Sequence, residues 1–234
     1  MVDASANTVS SNIQLIQNNI NEAELKYQRE PGSVQLLAVS KTRPIEDIYA
    51  AVITKQSHFG ENYLQDALPK ISAAEANKMQ LNWHFIGPIQ SNKTQAVATH
   101  FSWVHSIDRL KIARRLSEQR PAELDDINIC LQINTSAEAS KSGIQPEEVL
   151  KLAKEISLLP NIHLRGLMTI PAKCIGLNEQ RRPFQLLREL RDDCIKQGIE
   201  MDTLSMGMTN DMEAAIAEGS TMVRIGTAIF GARN

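Results

Sequence analysis

The chain has 234 residues, 42% of them hydrophobic, enough for one substantial core, so a single domain spanning 1–234 is the starting expectation. With 25 basic and 27 acidic side chains the net charge is only -2, and aromatics make up 4%, which argues against nucleic-acid or anionic-membrane partners and favours small-molecule work. Met1 to Asn12 lacks the features of a signal peptide, and no apolar run approaches the ~20 residues of a membrane span, so a cytoplasmic protein is expected.

The first periodic segment is helical: Val9, Ile13, Ile16, Ile20 and Tyr27 recur at helical spacing over 9–28, and Pro31-Gly32 ends it. The β-branched run Val34 to Val39 follows, too short for a helix and bounded by Gly32 and Pro44, and reads as a buried strand. Strands are predicted near 34–40, 57–60, 83–87, 103–106, 127–134, 164–170, 203–206 and 222–226. Amphipathic helices are predicted between them near 45–55, 62–77, 91–99, 108–119, 146–157, 179–197 and 210–218, several opened by a helix-start residue such as Asp108 or Asn210. Such alternation implies a parallel sheet, and the lack of a G-x-G-x-x-G fingerprint favours a closed TIM-type (β/α)8 barrel over a doubly wound sheet. The chain stops at Asn234, too soon after the eighth strand for a full helix, so helix 9–28 is expected to complete the outer ring.

A barrel of this kind carries its chemistry in the loops after the strands. Ser40-Lys41-Thr42, Gly60-Glu61-Asn62, Gly87 to Lys93, Ser205 to Thr209 and Arg224 to Thr227 all fall there. Lys41 ends an apolar strand, where partial desolvation favours the neutral amine that a Schiff base needs. By position alone the favoured reading is a lysine snorkelling to solvent. Gly207 and Gly226, after strands seven and eight, suit a phosphate cradle of backbone amides, the alternative being simple tight turns. His58, His100, His105 and His163 show no metal-ligand spacing, and no metal site is expected. Cys130, Cys174 and Cys194 are odd in number and widely spaced, and read as reduced structural thiols.

Long motifs then carry a resemblance. Leu37-Ala38-Val39-Ser40-Lys41-Thr42, Phe59-Gly60-Glu61-Asn62-Tyr63, Trp83 to Lys93, Ser140-Lys141-Ser142-Gly143-Ile144 and the run from Ser205 through Gly231 resemble, in order, the pyridoxal phosphate homeostasis proteins. These are the bacterial YggS type and its eukaryotic PROSC relatives. The resemblance implies a fold like the alanine racemase N-terminal barrel, with pyridoxal 5'-phosphate (PLP) as cofactor. Lys41 matches the Schiff-base lysine, Ser205, Gly226 and Thr227 match phosphate positions, and Arg224 matches the arginine facing the pyridine nitrogen. Gly207 and Thr209 belong to the same cradle; relatives commonly carry Met-Ser where this chain has Met208-Thr209, and the hydroxyl persists. Asn62, His84 and Asn92 fall in motifs that line the pocket.

The implied function is a PLP carrier and buffer for vitamin B6 and amino-acid homeostasis, acting without efficient catalysis, with PLP-dependent apoenzymes as acceptors. Two alternatives stay open: a PLP-dependent amino-acid racemase of low activity, and a cofactor-free barrel isomerase or aldolase using Lys41. A cation beside the pyridine nitrogen weakens the ring as an electron sink. Racemases of the related fold supply a second base from a C-terminal domain, and only Tyr63 falls near this mouth. The lack of that domain also favours a monomer. Lys141 is a candidate second amine at the mouth, and Lys93 reads either as a phosphate ligand or as a solvated first-turn lysine.

Overall fold

The computed structural model describes residues 4–136 and 142–232, with side chains from Thr8 onward. Eight parallel strands close into a barrel in chain order: β1 (Gln35–Val39), β2 (His58–Glu61), β3 (Asn82–Phe85), β4 (Trp103–Ile107), β5 (Ile127–Gln132), β6 (Ile162–Met168), β7 (Thr203–Ser205) and β8 (Met222–Ile225). Closure is made by β1 on β8, from Gln35 opposite Met222 to Ala38 opposite Ile225. Side chains alternate across the wall. Leu36, Ala38, Phe59, Trp83 and Phe85 join the apolar layer beneath the helices. The opposite parity, including Leu37, Gly60, His84 and Arg224, faces the barrel interior.

The outer ring contains α1 (Ala4–Lys26), α2 (Ile45–Val52), α3 (Leu64–Ala76), α4 (Thr94–His100), α5 (Leu110–Gln119), α6 (Val149–Ile156), α7 (Leu177–Lys196), α8 (Met212–Ala217) and a short α9 (Thr227–Phe230). Val9, Ile13, Ile16 and Ile20 form the buried face of α1. Its polar contacts show where it sits. Ser10 Oγ donates to Ala50 O of α2 (3.1 Å), Asn12 Nδ2 to Ile229 O of α9 (2.8 Å), and Lys26 Nζ and Tyr27 Oη to Glu213 of α8 (2.7 and 2.9 Å). Helix α1 therefore fills the eighth place in the ring.

The fold matches the expected barrel, with local differences. Helix α9 was not expected, because four residues between two glycines carry no readable period. The N-caps of α5 and α8 are Arg109 and Asp211, one residue beyond the expected Asp108 and Asn210. Asp108 is drawn into an ion pair with Arg109 (2.6 Å), and Asp211 Oδ1 accepts the Met208 N–H (2.6 Å), which tightens the loop before α8. All three cysteines are free thiols, and burial pushes Cys130 and Cys194 up to about 12 and about 11.

Candidate functional site

Lys41 stands two residues past β1, in a turn closed by the Arg43 N–H to Ser40 O (3.0 Å). Thr42, β-branched, is held at φ 63°, in the left-handed region. Strain of this type costs about 1–3 kcal/mol and persists only where the surroundings impose it. Arg43 Nη2 donates to Gly231 O and to Ala232 O (2.9 Å), tying the turn to the segment after β8. Lys41, half-buried, shares the wall of a small cavity with Val39, Gly226, Thr227 and Gly231. The β1–β8 register brings these segments side by side.

A larger cavity of about 580 Å³ opens beside it, lined by Thr209, Asn210 and Asp211 after β7, Thr227 and Ala228 after β8, and Lys173 and Cys174 after β6. Thr227 borders both cavities. In α9 the amides of Ile229 and Phe230 both turn back to Gly226 O (2.9 Å each), so Thr227 and Ala228 present their N–H groups without intrahelical partners. Gly207 adopts φ 98°, and a Cβ there would lie 2.6 Å from Ala215 Cβ; only glycine fits this approach of β7 to α8.

Below the mouth, a polar chain climbs through the barrel. His58 Nδ1 meets His84 Nε2 (2.9 Å), His84 Nδ1 meets His105 Nε2 (2.9 Å), and His105 Nδ1 meets Ser205 Oγ (2.8 Å). Arg224 Nη1 donates to Ser205 O (2.5 Å) and Oγ (2.9 Å), and Nη2 to Thr169 O (2.8 Å). Because a guanidinium only donates, Ser205 Oγ accepts there and gives its own proton to His105 Nδ1. One set of tautomers follows: Nε2–H on His105 and on His84, each donating to the next ring. Burial takes His105 down to about 3, and burial with the neighbouring imidazoles takes His84 well below its usual value, so both are neutral at pH 7. Arg224, fully buried, is lowered by desolvation to about 10 and stays cationic.

The structure thus brings Lys41, Gly226, Thr227 and Thr209 together at the mouth, with Gly207 shaping the loop. Ser205 and Arg224 lie one layer below, and His84 lies in the interior rather than along a cavity wall. Asn62, with Tyr63, Gln90 and Lys93, lines a third cavity of about 330 Å³ after β2 and β3, and its buried Oδ1 has no hydrogen-bond partner among the described residues. Asn92 is exposed in a single 3-10 turn, Ser91–Lys93. Lys141 lies outside the described residues. The joining of His58 and His105 to His84 goes beyond the sequence reading, and its readable signal is a histidine in each of three consecutive predicted β segments. Lys70 was also missed; it falls on the face of α3 shared with buried Ala67, Ile71 and Ala74.

A closed barrel of eight parallel strands ringed by helices is the class of fold seen in the N-terminal domain of alanine racemase. The family model for the alanine racemase N-terminal domain matches residues 11–234. A solved alanine racemase from Corynebacterium glutamicum superposes with a TM-score of 0.71 at 15% identity, covering 97% of this chain and 61% of that one, which shows the fold alone. More specifically, the chain belongs to the pyridoxal phosphate homeostasis protein family. It is 55% identical to the Pseudomonas aeruginosa member over 97% of this chain and 96% of that protein. PipY of Synechococcus elongatus, solved with PLP bound, superposes with a TM-score of 0.79 at 33% identity, covering 91% of this chain and all of that one.

Proposed function

We propose that residues 1–234 act as one PLP-binding barrel domain that carries and buffers the cofactor through a Schiff base on Lys41, without efficient catalysis. The observation that carries this reading is the shared wall of Lys41 with Gly226 and Thr227. It puts an amine next to backbone amides and a hydroxyl suited to a phosphate dianion. The residues present fit the cofactor: the first turn of α9 offers two amides, and Gly207 admits the close loop. When bound, PLP supplies an electrophilic aldehyde and a pyridine ring.

Lys41 would hold the aldehyde carbon, and Gly226 and Thr227, with Thr209, the phosphate; the hydroxyl of Ser205, also expected there, is engaged by His105 and Arg224. Arg224 would face the ring nitrogen, its plane fixed by Ser205 and Thr169. A cation in that place opposes protonation of the ring and weakens it as an electron sink, which makes most carbanion chemistry harder while leaving racemisation possible. Tyr63, the tyrosine at the mouth, is 54% exposed beside the Asn62 cavity, a poor setting for a catalytic base. No helix among the described residues is long and apolar enough to cross a membrane, and the reading needs no membrane partner. Release of PLP to apoenzymes, and a monomeric state in the cytoplasm, belong to the same proposal.

Purified protein supplied with PLP is expected to show an absorbance band at about 420 nm that is lost in Lys41→Ala. Borohydride reduction and peptide mapping should place the adduct on Lys41. A colourless wild type overturns the reading. Racemisation of alanine or serine at about 1 per second or faster would replace the carrier with an enzyme.

A further inference from the structure

Behind the Lys41 turn, between the barrel wall and α3, lies a buried ion pair. Lys70 Nζ donates to Glu61 Oε1 (2.8 Å) and to Ser40 O (2.8 Å), and Ser40 Oγ donates to the same Glu61 oxygen (2.6 Å). Glu61 is fully buried and Lys70 is 6% exposed. The surroundings are apolar: Phe59, Ala67, Ile71 and Ala74 are all in the core. Taking two charges into such a layer costs several kcal/mol per ion, and a pair of well-packed apolar residues would serve stability as well or better. Nor is the carboxylate there for its own satisfaction, since Glu61 Oε2 has no partner among the described residues.

What the pair does hold is one peptide. Ser40 O, the carbonyl bonded to the Lys41 nitrogen, receives both Lys70 Nζ and the Arg43 N–H that closes the turn. The same turn keeps Thr42 at φ 63°. Without a fixed Ser40 carbonyl, rotation of the Ser40–Arg43 backbone would relieve that strain and would carry Lys41 away from Gly226 and Thr227. Burial raises the Glu61 carboxyl, and Lys70 and the Ser40 hydroxyl oppose this.

We propose that Lys70 and Glu61 are positioning residues for Lys41, clamping from behind the strained turn that presents its amine. This rests on the reading of Lys41 as the cofactor lysine. A ligand lacking the aldehyde, pyridoxine 5'-phosphate, fills the same cradle without needing the amine in place, and so separates positioning from binding.

The test is the double variant E61L/K70M, which removes the pair without leaving a lone buried charge. Its melting temperature should equal or exceed that of the wild type, and its affinity for pyridoxine 5'-phosphate should change by less than about twofold. Its affinity for PLP should fall by about tenfold or more. In cofactor-free protein, the rate of trinitrobenzenesulfonate labelling at Lys41 and its pH midpoint should both move. S40A, which keeps both charges and cuts only the hydroxyl link, should show the same changes at smaller size, about threefold, and serves if the double variant does not fold. Unchanged PLP affinity and unchanged Lys41 labelling in the variants would overturn the clamp. Wild-type protein that fails to bind PLP would overturn the functional reading instead, while the labelling of Lys41 still tests the clamp.

Discussion

Arg224 carries a charge inside the barrel because three oxygens meet it there: Ser205 O, Ser205 Oγ and Thr169 O. That environment decides which substitution is informative. A glutamate would set a buried anion against two carbonyls and unfold the site, so loss of function would say nothing about the ring. Arg224→Gln keeps a donor and removes the charge. It is expected to lower stability by roughly 3 kcal/mol in urea denaturation, because one carbonyl loses its partner in a dry interior. In the surviving folded protein, the absorbance of bound PLP should shift as the ring nitrogen gains proton affinity. An unchanged spectrum would mean that the guanidinium does not reach the ring.

Four strands share the histidine chain, and their stability depends on pH as a unit. His84 and His105 have folded values far below the ordinary 6.5, so the fold binds fewer protons than the unfolded chain once the pH drops under that value. Their contribution is complete above about pH 6.5 and is lost as the pH falls toward 3. The slope is about 1.4 kcal/mol per pH unit for each histidine that titrates only when unfolded. His58 is lowered by burial in the same sense, while Glu61, Asp47 and Asp211, raised by burial, work in the opposite sense but only near the carboxylate range, below most of the histidine window. Urea midpoints at pH 7, 6, 5 and 4 should therefore fall steeply, and His105→Gln should flatten the curve. The chain also shows what sequence reading could reach. Strands and helices were legible because apolar runs alternate with amphipathic periods, and Lys41, Gly207 and Gly226 because strand ends are where this fold places function. His58, His84 and His105 could be assigned to strands, but their meeting depends on register, which no local pattern encodes. Lys70 was hidden because its charge argues for solvent while its helical position argues for the core. Helix α9 was hidden by its length.

At the scale of the whole molecule, the proposed site exists only because the barrel closes. Lys41 belongs to the first strand and Thr227 to the segment after the last, some 186 residues apart by number (227 - 41), and β1–β8 pairing makes them neighbours. Helix α1 covers that seam, reaching α2 on one side and α8 and α9 on the other. Its link to the cradle is specific: Asn12 Nδ2 donates to Ile229 O in α9, whose first turn offers the free amides. Asn12→Ala removes one partly buried hydrogen bond, so global stability should fall by only about 1 kcal/mol. The effect on α9 should be larger in kind, because a helix of four residues has little cooperativity of its own. Hydrogen exchange at Ile229 and Phe230 should accelerate more than exchange in the β1 and β8 cores, and PLP should dissociate faster with no change in the reactivity of Lys41. Uniform acceleration across the barrel would show that α1 contributes only general stability. Acceleration confined to α9 would show that the outer ring, through its eighth helix, holds the phosphate end of the pocket as the Lys70–Glu61 pair holds the amine end.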